Sequence, residues 1–180
     1  MDFGERTLST EVLYRGKVLD LHVDQVELPG GRVTSREAVR HSPAVAIVAV
    51  EGNDIYLVRQ FRHAVGDFIL EIPAGIVESG ETPLQTAARE IQEEIAMKAE
   101  NLEEIGRIYT SPGFSDEEIV LFWAEGLSPS RLPADDDEFI QVEKVPLSQV
   151  WSMIDDGVIK DGKTIVALYR MALKGKIAYH

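Results

Sequence analysis

Residues 75–97 read GIVESGETPLQTAAREIQEEIAM, and the placement of the rest of the chain follows from this stretch. A glycine-containing loop enters a short helix with a clear start. Thr82 can act as N-cap, Pro83 suits the first turn, and Gln85 stands at the capping-box position. Leu84, Ala87, Ala88, Ile91 and Ile95 share the spacing of one apolar helix face. At about 100° per residue, Glu90, Glu93 and Glu94 cluster about 120° from that stripe. The spacing predicts carboxylates that point out of the core and over whatever the preceding loop presents. Glu90 and Glu94, one turn apart, can face a single cation, and Glu93 can extend the site to further ions. A solvated acidic helix face is the competing reading of these three residues taken alone. Arg89 is expected to pair with Glu81 or Glu93 and brace helix against loop.

Upstream, Glu11–Tyr14, Val18–Leu28 and Arg32–His41 read as strands joined by Arg15-Gly16-Lys17 and Pro29-Gly30-Gly31. Their apolar content is thin for a free-standing sheet, which points to packing against something else, such as a second subunit. Ala44–Val50 is a continuous apolar run that suits a buried strand, with Ile55–Phe61 returning after Gly52-Asn53-Asp54. Phe68–Ile72 is a further short strand closed by Pro73-Ala74-Gly75. Downstream, Leu102–Tyr109, Ile119–Ala124 and Phe139–Val145 read as strands. Thr110–Glu118 and Leu127–Glu138 read as loops, and Leu147–Asp156 and Thr164–Leu173 as helices. The pattern predicts a mixed α/β (α+β) domain over residues 43–180 with an N-terminal antiparallel β appendage over residues 1–42.

The 180 residues carry 18 basic and 31 acidic side chains, a formal net charge of −13. Such a field repels nucleic acid and anionic membranes, and it repels phosphate substrates unless cations intervene. The absence of cysteine excludes disulfide frameworks, thiolate metal sites and cysteine nucleophiles, and it suits a reducing cytoplasm. The opening MDFGERTLST lacks the pattern of a signal peptide, and no apolar run approaches a membrane span. A cytoplasmic location without membrane or nucleic-acid partners is expected. The histidines at 22, 41, 63 and 180 show no metal-ligand spacing, and Trp123 and Trp151 are expected in the core.

Gly75, five residues, Glu81, seven residues, then Arg89-Glu90-Ile91-Gln92-Glu93-Glu94 resembles the Nudix box of hydrolases that cleave nucleoside diphosphates linked to another moiety. Six fixed positions at fixed spacing on a loop–helix context make a specific signal. The resemblance implies a Nudix-type α/β/α sandwich around a mixed sheet. It also implies Mg²⁺ or Mn²⁺, two or three ions, held by Glu90, Glu93, Glu94 and the carbonyl of Ala74. Gly75, Glu81 and Arg89 would then be the structural members of the box. One position departs from the pattern: the usual glycine, next to last, is Ala96. Either alanine adopts the left-handed conformation at a cost of about 1 kcal/mol, or the helix runs on slightly.

Leu70-Glu71-Ile72-Pro73-Ala74-Gly75 is similar to the lead-in of ADP-ribose pyrophosphatases. So is Ser111-Pro112-Gly113, with Pro112 fifteen residues past Met97. Gln60-Phe61-Arg62 resembles that subfamily's phosphate-contacting arginine motif, and Arg36-Glu37 its N-terminal pair. The implied substrate contacts are Arg62, Arg36, Pro112 and Gly113, although surface or interface salt bridges would also account for the two arginines. The acidic stretch Ala134–Glu138 matches a loop that supplies a glutamate base in such enzymes, which makes Glu138 and Glu93 the two candidate catalytic bases. The implied reaction is metal-assisted hydrolysis of ADP-ribose to AMP and ribose 5-phosphate. Nucleotide sugars, dinucleoside polyphosphates and a non-catalytic nucleotide sensor are the alternatives. A homodimer with exchanged N-terminal strands is also implied.

Overall fold

The computed structural model describes residues 3–133 and 139–179. The chain divides into two compact units: the strands up to Pro43 together with Tyr109–Glu118, and Ala44–Ile108 with the chain from Ile119 onward.

In the first unit, β1 (Arg6–Arg15), β2 (Leu19–Glu27) and β3 (Val33–His41) form an antiparallel sheet in that order. β2 and β3 stay in register from Leu19↔His41 to Glu27↔Val33. Their turn needs left-handed backbone at two successive residues, Gly30 (φ 95) and Gly31 (φ 85), which glycine alone adopts freely. The segment Tyr109–Glu118 is stitched to β3. Val39 N donates to Phe114 O (2.7 Å), Asp116 N to Val39 O (3.2 Å) and His41 N to Asp116 Oδ1 (2.9 Å). Leu8, Leu13, Tyr14, Val18 and Val33 are exposed, which agrees with the thin apolar content noted for these strands.

The second unit is built on a seven-stranded mixed sheet. β4 (Ala44–Glu51) lies between β5 (Asp54–Arg62) and β9 (Glu118–Pro129), with β10 (Ile140–Pro146) outside β5 and β8 (Met97–Tyr109) outside β9. β4 runs parallel to β9 and antiparallel to β5. Two short strands attach to this frame: β6 (Asp67–Glu71) on β5, and β7 (Ala74–Ile76) on β4. The apolar run of β4 is buried on both faces because helices cover both. Val45, Ile47 and Ala49 pack with Ala87 and Ile91 of α1 (Pro83–Glu94). Ala46, Val48 and Val50 pack with Val150 and Trp151 of α2 (Val150–Asp155) and with Leu168 and Met171 of α3 (Gly162–Leu173). This is the expected sandwich, with Trp123 and Trp151 in its core. Among the described residues no helix is long and apolar enough to cross a membrane.

Three local differences from the sequence reading have physical causes. Pro73-Ala74-Gly75 does not simply close a strand, because Ala74 and Gly75 continue into β7 and pair with Ala46 and Val45. The segment from Leu147 begins as a 3₁₀ turn, Leu147–Gln149, after Pro146 and becomes α-helical only at Val150. The buried side of α1 is Thr86, Ala87, Glu90, Ile91 and Glu94, whereas Leu84 is half exposed. Glu90 and Glu94 do face the preceding loop, as expected, but they are enclosed, only 6% and 7% exposed, because the Ala74-Gly75 segment lies directly against them.

Ala96 takes the first of its two expected alternatives. Among the described residues it is the one non-glycine residue with positive φ (54°). The helix stops at Glu94 and β8 starts at Met97, so alanine takes the left-handed conformation instead of prolonging the helix. Ala96→Gly should raise stability by roughly 0.5–1 kcal/mol, since relief of the Cβ contact outweighs the added freedom of the unfolded chain. Urea unfolding should show a higher midpoint at unchanged slope.

Candidate active site

The capping box forms as spaced: Thr82 Oγ1 accepts from Gln85 N (3.3 Å) and Gln85 Oε1 accepts from Thr82 N (2.8 Å). This start fixes the rotation of α1 and aims Glu90 and Glu94 beneath β7. Glu94 Oε2 accepts a hydrogen bond from Ala74 N (3.0 Å). A Cβ at Gly75 would overlap the Glu90 carboxylate, so only glycine lets the strand lie this close to it.

Arg89 ties the acidic residues together. Its Nε and Nη2 donate to the two carboxylate oxygens of Glu81 (3.1 Å each), and Nη1 donates to Glu90 Oε1 and Glu93 Oε2 (2.7 Å each). Nη2 also reaches Ile76 O (3.3 Å). The guanidinium pKa is raised, first by the Glu81 hydrogen bond and then by the charges of Glu90 and Glu93, against the effect of burial. The Glu81 carboxyl is held below the usual range, chiefly by Arg89. Thr86 Oγ1 donates to Glu81 Oε2 as well (2.8 Å).

One guanidinium does not neutralise Glu81, Glu90, Glu93 and Glu94 together. Among the described residues no three acidic or histidine side chains form a preassembled cation cage. Mg²⁺ does not require one, because it binds through one or two carboxylates and takes its other positions from water and substrate phosphate. Hard oxygen donors in excess negative charge, half covered by backbone, fit such an ion.

Arg62, on β5, makes a bidentate pair with Glu71 (Nε–Oε1 2.7 Å, Nη2–Oε2 2.8 Å). Glu71 is 1% exposed and is also paired with Lys163 at the start of α3. The Arg62 pKa is raised, first by the hydrogen bond to Glu71, against burial, and then by the charges of Glu71, Asp161 and Glu94. In the sequence Glu71 has no assigned role, and Lys163 serves only to mark the start of the last helix. The available signals were an acid inside the apolar strand Phe68–Ile72 and a lysine immediately before a helix-forming segment.

The structure thus gathers Ala74, Gly75, Glu81, Arg89, Glu90, Glu93 and Glu94, with Arg62 near enough to Glu94 to feel its charge. Arg36 belongs to the N-terminal unit and pairs with Glu5 (2.6 Å). Pro112 and Gly113 are exposed in the same unit. Glu138 lies outside the described residues. A cavity of about 500 Å³, lined by Glu51, Trp123, Glu125 and Lys176 among others, sits at the opposite end of β4 from β7. Its acids are already engaged: Glu51 with Lys144, and Glu125 with the Trp123 indole.

A family model described as NUDIX domain matches residues 39–168, and one described as nucleoside diphosphate sugar hydrolase N-terminal domain matches residues 5–39. The chain is 42% identical to an ADP-ribose pyrophosphatase of Bacillus subtilis over 173 residues, 94% of each chain. It is also 42% identical to a methanol dehydrogenase activator of Bacillus methanolicus, over 96% of this chain and 95% of that one. A crystal structure of an ADP compounds hydrolase superposes with a TM-score of 0.87 at 21% identity, covering 96% of this chain and 97% of the other.

Proposed function

The chain belongs to the Nudix family, and we propose that it hydrolyses the pyrophosphate bond of ADP-ribose to AMP and ribose 5-phosphate. The observation that carries this reading is the placement of Glu90 and Glu94 against Ala74-Gly75, with Glu94 bound to that backbone and Glu90 braced by Arg89. Similarity to the Bacillus subtilis enzyme along nearly the whole chain supports ADP-ribose as the substrate.

Glu90, Glu93, Glu94 and the Ala74 carbonyl would hold two or three Mg²⁺ or Mn²⁺ ions. Bound there, the metal would offset the charge of the diphosphate and lower the pKa of the attacking water. The side chains supply the remaining functions. Arg89 holds Glu90 and Glu93 in one orientation, the Ala74 N–H holds Glu94, and Arg62 steadies a phosphate. Glu93 or Glu138 accepts the proton of the water. Arg36, Pro112 and Gly113 are assigned to substrate contact. The N-terminal strands, residues 1–42, are assigned to exchange within a cytoplasmic homodimer, so gel filtration should give the elution volume of a dimer; a monomeric volume would count against the exchange.

A second substrate reading has an observation of its own, because the N-terminal family model is described by nucleoside diphosphate sugars. A panel of ADP-ribose, a nucleotide sugar, a dinucleoside polyphosphate and NAD, each incubated with Mg²⁺, separates the readings by product. The expected result is the highest kcat/KM on ADP-ribose, with AMP and ribose 5-phosphate in equal amounts. Preference for the nucleotide sugar would transfer the assignment to that substrate. Nucleotide binding without turnover of any compound would favour a sensor.

A further inference from the structure

Lys163 is in an electrostatically unfavourable place. It lies in the first turn of α3, where the helix dipole favours negative charge, and its side chain is 10% exposed. Two carboxylates compensate for it, Glu71 and Asp161, the latter at 3.1 Å. Glu71 already receives two hydrogen bonds from Arg62, so Lys163 is a second cation on an acid that already has one. The turn bearing it is locked to the strand before the acidic site. Asp161 Oδ2 accepts from Thr164 N (2.9 Å) and Thr164 Oγ1 (2.6 Å), and that hydroxyl oxygen accepts from Ile72 N (2.9 Å). Ile72 is two residues from Ala74, whose backbone N–H holds Glu94.

The geometry points to Lys163 as a positioning residue for the hydrolysis, acting through Glu71 on Arg62. A carboxylate shared by two cations holds Arg62 in direction without consuming its whole charge. The Arg62 side chain remains 42% exposed and keeps charge to offer a phosphate. With Lys163 removed, Glu71 and Arg62 close into an undivided pair, and the phosphate competes with a buried carboxylate for the guanidinium. This inference rests on the reading of Arg62 as a phosphate contact.

A double-mutant cycle on kcat/KM for ADP-ribose tests it, using the full-length protein with Mg²⁺. Lys163→Met should lower kcat/KM by about 10–100-fold, the order of loss seen when an outer-shell partner of a metal ligand is removed. In an Arg62→Ala background the same change should cost less than about twofold, because the residue it acts through is gone. Lys163→Arg, which keeps the cation, should recover most of the activity. A purely structural lysine would lower activity by the same factor in both backgrounds, and that result would overturn the proposal. Should Lys163→Met not fold, Lys163→Gln, which keeps a donor for Glu71, carries the same cycle. Failure of both to fold would assign Lys163 to stability and end the proposal. The wild type is assayed first. No turnover of ADP-ribose overturns the functional reading and this inference with it, whereas turnover with multiplicative losses overturns this inference alone.

Discussion

Glu94→Gln should reduce kcat by about 10³-fold or more, close to 4 kcal/mol of transition-state stabilisation, while leaving the protein as stable as the wild type or slightly more so. Both halves of this expectation come from the same geometry. Glutamine keeps an oxygen that can accept the Ala74 N–H now bonded at 3.0 Å, so the link between helix and strand survives. The change removes one negative charge from a cluster in which Glu81, Glu90 and Glu93 already share Arg89, so like-charge repulsion falls. What is lost is an anionic oxygen for a divalent cation. An inactive variant with an undiminished melting temperature separates a residue kept for chemistry from one kept for structure. Undiminished activity would show that Glu94 does not serve the metal.

Glu71→Ala should show the opposite pattern, with a loss of about 3–5 kcal/mol of stability, the range for a buried ion pair deprived of one member. Glu71 is buried and faces Arg62 and Lys163. Without it the two cations confront each other across a new cavity, and Lys163 keeps only Asp161. At this chain length the melting temperature should fall by roughly 10 °C. Glu71→Gln, which retains an acceptor, should lose less. An unchanged urea midpoint in Glu71→Ala would mean that the network contributes little to the folded state.

The parts of this architecture that depend on neighbouring residues were legible in the sequence. The capping box at Thr82 and Gln85, the doubly buried run of β4 and the Gly75–Glu94 spacing are all local patterns, and each has its structural counterpart. Arg89 was expected on Glu81 or Glu93 and reaches both, with Glu90 in addition. The expectation that Glu90 and Glu94 face the preceding loop holds, but their burial was not legible, because helix spacing does not reveal how closely a loop covers a polar face. β7 covers it, and β7 exists only through pairing with β4 thirty residues earlier in the chain. The pairing of Glu71 with Lys163 was illegible for the same reason, the two being separated by 92 residues and joined only once α3 docks. The attachment of Phe114 and Asp116 to β3 likewise comes from contacts about 75 residues apart. The residues most informative about chemistry were local; those that hold them in place were distant.

Under the proposed function the acidic turn of α1 recruits divalent cations to a diphosphate. Crystals soaked with Mn²⁺ and a nonhydrolysable ADP-ribose analogue test it by anomalous diffraction. Anomalous peaks are expected within about 2.0–2.6 Å of carboxylate oxygens of Glu90, Glu93 or Glu94, shared with the phosphates of the analogue. Metal and analogue bound together at another site, with this turn empty, would contradict it.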